Sequence, residues 1–320
     1  MSRGVESHIH RGAGHSSAAA GPAPGTGLRP ERVWRDTAAM TLASTRLWAL
    51  RTVFRTVGPL APGLAARWAE TLFCTPPRHQ PRPSEEAFLA TGRPSTFRWE
   101  GGDLAAWEWG HGPTILLVHG WGSRAGRLAA LGSALAARGF RVVAYDGPGH
   151  GSSAGRFASL PEFARALGSV GAATGPLHGL VGHSLGGAAI AMALSQGLEA
   201  GRVVLLAAPA DVRIFSDIFA ETLAVPRRVQ ETMHRNLEAR LRMTWQDLDI
   251  PTLVSRLGAS ALLIHDRDDA EVPIAHAERI VEAWRGARLV RTAGLGHRAI
   301  VRDPAVVRRA VEFLAGGRAA

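Results

Sequence analysis

Gly182-His183-Ser184-Leu185-Gly186 decides how the rest of this sequence is read. Ahead of it, Leu177-His178-Gly179-Leu180-Val181 has the character of a short buried strand. Behind it, Gly187-Ala188-Ala189-Ile190-Ala191-Met192-Ala193-Leu194 reads as a helix of small residues. A serine between strand and helix, with glycine two places to either side, is the pattern of a nucleophile elbow. The reason is steric. The serine backbone takes a sharp, strained turn, and side chains at the two glycine positions would collide with the neighbouring strand and helix. The turn lifts the hydroxyl clear of the sheet and aims the helix N-terminus at the reacting centre. In a chain with 37 glycines the pentapeptide alone decides little. Its setting decides more.

Working outward, Thr114-Ile115-Leu116-Leu117-Val118 is a continuous apolar run of the kind found in a strand covered on both faces. It ends in His119-Gly120-Trp121-Gly122, and a helix follows over 128–138. Residues 140–145 form the next strand, closing on Asp146-Gly147-Pro148-Gly149-His150-Gly151, and 160–173 a helix with Pro161 in its first turn. Upstream, segments 95–100 and 104–109 flank Gly101-Gly102-Asp103, a hairpin signal. Downstream come strands at 203–207, 261–265 and 289–292, with helices at 277–284 and 306–314. Strands alternating with helices imply a doubly wound, mostly parallel sheet. The rhythm breaks over 211–256, where Phe215, Ile218 and Phe219, then Val229, Met233, Leu237 and Leu241, form helical stripes. Such an insert is expected to lie over the carboxyl ends of the strands as a cap.

The first 30 residues are Gly/Ala/Ser/Pro-rich without periodicity and read as a disordered tail. His8 and His10 sit in that tail without the supporting contacts a metal site needs. Residues 31–95 read as helices and a linker. Val33, Met40, Leu47, Leu50, Phe54 and Val57 recur at helical spacing, Gly58-Pro59 and Pro62-Gly63 break the pattern, and a second helix spans 64–73. Pro76 to Pro83 reads as an extended linker and 85–91 as one more short helix. These helices are expected to pack on the domain behind them. The alternative is a weak, basic amphipathic contact with an anionic membrane surface.

The net charge of +10 carries no nucleic-acid signature: every basic residue is arginine, in a chain rich in Ala and Gly, which points to genomic composition. Residues 1–99 hold 13 Arg against 6 acidic residues, and 100–320 hold 24 against 21, so the segment bearing the chemistry is nearly neutral. The single cysteine, Cys74, excludes an intramolecular disulfide and suits a reducing compartment. No apolar run of membrane-spanning length appears, and residues 1–30 lack the apolar centre of a signal peptide. A cytoplasmic location is the expectation.

A serine hydroxyl attacks only when a base takes its proton, and histidine has the right pKa if an anion fixes its tautomer. Gly294-Leu295-Gly296-His297 follows the last strand, placing His297 on a loop at the same carboxyl edge as Ser184. His265-Asp266-Arg267-Asp268-Asp269 follows the preceding strand at that edge, where open α/β sheets place their ligands. The oxyanion formed by attack needs backbone N–H groups aimed at it. Leu185, after the serine, supplies one, and Trp121 in the loop after 114–118 is the natural second.

These pieces together resemble the α/β-hydrolase family, serine-nucleophile branch, over residues 96–320. The match rests on His119-Gly120-Trp121-Gly122, Asp146-Gly147-Pro148-Gly149-His150-Gly151, Gly182-His183-Ser184-Leu185-Gly186-Gly187, Asp269-Ala270-Glu271-Val272-Pro273 and Gly296-His297. The resemblance implies an eight-stranded sheet with a helical cap, and hydrolysis of esters or thioesters through an acyl-serine, without cofactor. Acyl transfer, carbon–carbon hydrolysis, haloperoxidase chemistry and a non-catalytic binding role remain open on the same frame. The basic helices before the hairpin look like those of some bacterial members. Asp269 takes the place of the family's acid, three residues before Val272-Pro273; Asp268 is the runner-up. Asp266 stands where the family often has glycine and is expected to cap a turn, as is Asp146. His119 and His150 are expected to brace their loops, and His183 to pack.

No Cys/His cluster or His-Glu-x-x-His supports a metal. A Walker loop requires the lysine this chain lacks, and Ser152 breaks the dinucleotide glycine pattern. The expected partner is a small, largely apolar acyl substrate. The sequence gives no oligomeric state.

Overall fold

The computed structural model describes residues 40–316, with side chains from residue 45. The expected tail over 1–30, with His8 and His10, and the start of the helical pattern before residue 40 lie outside the described residues. Helices α1 (Met40–Leu60), α2 (Pro62–Cys74) and α3 (Pro83–Ala90) come first. The expected hairpin is β1 (Arg93–Trp99) and β2 (Gly102–Trp109). Then follow β3 (Thr114–Val118), α4 (Ala129–Ala137), β4 (Arg141–Tyr145), α5 (Leu160–Thr174), β5 (Leu177–His183) and α6 (Leu185–Ser195). After β6 (Arg202–Leu206) come the insert helices α7 (Arg213–Leu223), α8 (Arg227–Leu241) and α9 (Ile250–Val254). The remainder is β7 (Ser260–Asp266), α10 (Ala275–Ala283), β8 (Ala287–Thr292), α11 (Gly296–Ala299) and α12 (Pro304–Leu314).

The eight strands form one sheet in the order β1-β2-β4-β3-β5-β6-β7-β8. β2 is antiparallel to both its neighbours, and every other pairing is parallel. Strand alternation divides the core between two faces. Leu116, Val118, Leu180, Val203 and Leu205 point toward α5, α6, α9 and α10. Ile115, Leu117, Val181, Val204 and Leu262 point toward α4 and α12. This explains why β3 reads as an unbroken apolar run: all five of its residues are buried. Caps set where the helices start. The Ser159 side chain accepts the Glu162 N–H at α5, and Asp303 accepts from Ala305 and Val306 at α12.

The apolar stripe of α1 and α2 is buried against the insert. Phe54, Ala65, Ala66 and Ala69 share a core with Leu223, Val225, Val229, Met233 and Leu237, while Trp48, Leu60 and Leu64 stay exposed. Phe157 packs on this core, and the Ala158 N–H donates to the Cys74 carbonyl at 2.8 Å. Both residues belong to the loop leaving the carboxyl end of β4, so the helical layer stands at that edge of the sheet. Among the described residues no helix is long and apolar enough to cross a membrane.

Three details differ from the sequence reading. Gly58-Pro59 does not interrupt α1, which runs on to Leu60. The proline removes only its own helical hydrogen bond, and the ladder continues past it, with the Ala61 N–H donating to the Val57 carbonyl at 2.8 Å. Gly58 is instead a crossing contact, since a Cβ there would lie 2.8 Å from the Pro226 ring. The helical stretch 211–256 is also not packed as one layer, because Leu248, Ile250 and Val254 belong to the main core with α6 and α10. Finally, the extended segment after α2 is strapped down. Arg78 donates to the carbonyls of Gly151, Ser153 and Gly155 at 2.8–2.9 Å.

Candidate active site

Ser184 joins β5 to α6 with φ 53° and ψ −123°, a left-handed conformation that costs a non-glycine residue energy. Close packing enforces it. A Cβ at Gly182 would fall 2.7 Å from the Gly186 backbone, and one at Gly186 would fall 2.2 Å from the Val118 carbonyl oxygen. The Ser184 N–H is tied to the Leu206 carbonyl at 2.9 Å. The loop after β3 reaches the same point, since a Cβ on Gly120 would lie 2.9 Å from that of Ser184. Leu185 opens α6, so its N–H is one of the first-turn amides without an intrahelical partner. The Trp121 N–H donates to no backbone group among the described residues, and the Trp121 side chain is 36% exposed.

Two buried histidines hold this loop, as the sequence reading expects. The His119 Nε2 accepts the Gly147 N–H at 2.8 Å while its Nδ1 bonds the Gly120 carbonyl. The His150 Nε2 accepts the Gly122 N–H at 2.9 Å, and Trp121 stands edge-on to its ring. Both must be neutral to accept. Burial lowers His119 to about 4 and His150 to about 3 from an ordinary 6.5. The unfolded chain therefore takes up these protons from pH 6.5 downward while the folded protein does not until about pH 4. Stability from this source is complete above pH 7 and falls as the pH drops, by about 2 kcal/mol per histidine between pH 7 and 5. Urea titrations at the two pH values should show it; equal midpoints would contradict the bracing role. Asp146 also acts as expected, accepting the Ala125 and Ser152 N–H groups at 2.8 Å each.

The loops after β7 and β8 bring the other two groups together. The His297 Nδ1 donates to the Asp269 Oδ2 at 2.8 Å, with the carboxylate wholly shielded from solvent. The Asp269 Oδ1 accepts the N–H groups of Glu271 and Val272 at 2.9 and 2.8 Å. Burial alone would raise this carboxyl, but hydrogen bonds from His265 and His297 outweigh it and hold Asp269 well below the usual carboxylate range. Asp268, the runner-up, is turned away and accepts the Gly294 N–H.

Two flanking histidines gave no sequence signal of their contacts. His183 Nε2 donates to the His297 carbonyl at 2.9 Å, and the two rings lie 4.9 Å apart. This fixes His297 beside the residue that precedes Ser184. Burial lowers His183 to about 3, keeping it neutral. His265 Nε2 donates to the Val272 carbonyl at 2.8 Å and lies 3.4 Å from the Asp269 Oδ2. Ser184 and His297 make no direct hydrogen bond among the described residues, a separation common before substrate binds. No group of three or more potential metal ligands is gathered among the described residues.

Solved structures share this architecture. A bromoperoxidase from Bacillus anthracis is 17% identical, with 70% of this chain and 100% of that one covered and a TM-score of 0.56. An esterase from Exiguobacterium antarcticum is 16% identical over 70% and 98%, with a TM-score of 0.55. A hydrolase from Pseudomonas aeruginosa is 22% identical over 71% and 99%, at 0.54. Residues 111–309 match the family model described as serine aminopeptidase, S33, and with that match this chain belongs to that family of α/β hydrolases.

Proposed function

We propose that the protein is a serine hydrolase that cleaves carboxylic esters or thioesters through an acyl-serine intermediate. The observation that carries this is the buried His297–Asp269 pair, held at the sheet edge where the Ser184 turn presents its hydroxyl. Ser184 Oγ attacks the acyl carbon as His297 Nε2 takes its proton. The Trp121 and Leu185 N–H groups receive the oxyanion, each typically worth a few kcal/mol. His297 then passes the proton to the leaving alcohol or thiol. Water repeats the sequence in reverse and frees the acid, with no cofactor required. Asp269 holds His297 with Nδ1 protonated, leaving Nε2 as the base. The apolar helical layer at that edge and the exposed Trp121 ring, carried by the loop that reaches Ser184, favour an apolar acyl group.

Nitrophenyl esters of increasing acyl length test this reading, with kcat/KM expected to rise beyond acetate. Failure to hydrolyse any of them would sink it. The family description favours a second reading, removal of an N-terminal residue from a peptide. Amide cleavage can use the same relay, and amino-acid nitroanilides cleaved in preference to esters would establish it. Asp269→Asn should lower kcat about 10⁴-fold by stabilising the wrong His297 tautomer. Asp268→Asn should stay within about tenfold of the parent. The reverse ranking would move the acid to Asp268.

A further inference from the structure

The loop that carries His297 is weakly supported by its own sequence. It leaves β8, the edge strand of the sheet, so only β7 lies beside it. It contains Gly294 and Gly296, both at positive φ, which leave the unfastened loop free to wander. Asp268 holds the Gly294 N–H, and the largest share of the remaining restraint comes from one buried side chain. Asp266, the last residue of β7, accepts four hydrogen bonds. Its Oδ1 takes the N–H groups of Asp268 and Gly296, both at 3.0 Å. Its Oδ2 takes the Thr292 hydroxyl at 2.7 Å and the Leu295 N–H at 3.1 Å. Only one of these closes its own turn; three fasten the loop of the neighbouring strand, and the residue after the last of them is His297.

We propose that Asp266 is a positioning residue for catalysis: its carboxylate fastens residues 292–296 so that His297 meets Ser184 and Asp269 together. The proposal rests on the role given to His297 above and adds the device that locates it. Three contacts then define the imidazole. Asp269 holds the ring, His183 holds the carbonyl, and Asp266 holds the chain entering it. Burial alone would raise Asp266, but its hydrogen bonds from Thr292, Gly296, Leu295 and Asp268 outweigh it and keep it ionised, with both oxygens free to accept. An amide cannot replace it. In Asp266→Asn, a side-chain oxygen turned toward the Asp268 and Gly296 N–H groups would set the NH₂ against the Leu295 N–H.

The test compares Asp266→Gly, Asp266→Asn and Thr292→Val with the parent. In Asp266→Gly, kcat and the rate of fluorophosphonate labelling should fall together by about a hundredfold, the scale of a misplaced catalytic group. KM should stay within about twofold. Thr292→Val, which removes one of the four bonds, should show a smaller loss in the same direction. The downfield imidazole N–H resonance of the His297–Asp269 pair, read by proton NMR without substrate, should broaden in all three. If Asp266→Gly does not fold, the other two variants decide. A lowered melting temperature with full kcat and an unbroadened resonance would make Asp266 a structural residue only. Absence of turnover and labelling in the parent protein would instead count against the proposed reaction, while the resonance would still report on Asp266.

Discussion

Ser184→Ala should abolish ester hydrolysis, lowering kcat on the order of a million-fold, while the protein stays folded. Alanine keeps the Cβ, so the strained turn and the Ser184 N–H bond to the Leu206 carbonyl persist. What disappears is the atom that forms the acyl intermediate. The oxyanion donors and the substrate contacts remain, so a residual rate of roughly 10³-fold over water should survive from them. Initial rates at saturating ester, with a thermal melt to verify the fold, provide the check. A variant within tenfold of the parent would mean that another group attacks.

His297→Ala should cost nearly as much, because attack without a base leaves the serine proton in place. The loss differs in two ways. First, the vacated space beside the Asp269 carboxylate should accept free imidazole, and millimolar additions should return part of the activity; the same additions should do nothing for Ser184→Ala. Second, the Asp269 Oδ2 loses its 2.8 Å partner while burial persists, so its pKa should rise and the variant should melt lower than the parent at neutral pH. His265 at 3.4 Å from the same oxygen softens this loss without removing it. Near-parental kcat in His297→Ala would displace it as the base.

The order of elements was legible because each strand announces itself by composition. β3 is apolar at four of its five positions, and the turns after β3, β4 and β5 carry glycines that packing requires. The meeting of Asp269 and His297 was legible because the loops after β7 and β8 must leave from one edge of a parallel sheet. Side-chain direction was not. Asp266, Asp268 and Asp269 are equivalent as letters; only the turn decides that one faces His297 and the other two face the backbone of the next loop. Asp266 does cap a turn, as expected from its type, through the Asp268 N–H, but its three further bonds cross to residues 26–30 positions away. Nothing local encodes that reach. The same holds for 211–256: Met233 faces α1 and α2 whereas Ile250 joins the main core, and apolar residues alone do not say which layer buries them. Gly58-Pro59 was misleading because one missing helical hydrogen bond does not by itself end a helix whose neighbours are packed.

The most direct measurement is mass spectrometry of the protein after exposure to a fluorophosphonate. One adduct is expected, on the peptide containing Ser184, lost in Ser184→Ala and slowed in His297→Ala. An unmodified Ser184 under conditions where a control esterase is fully labelled would contradict it.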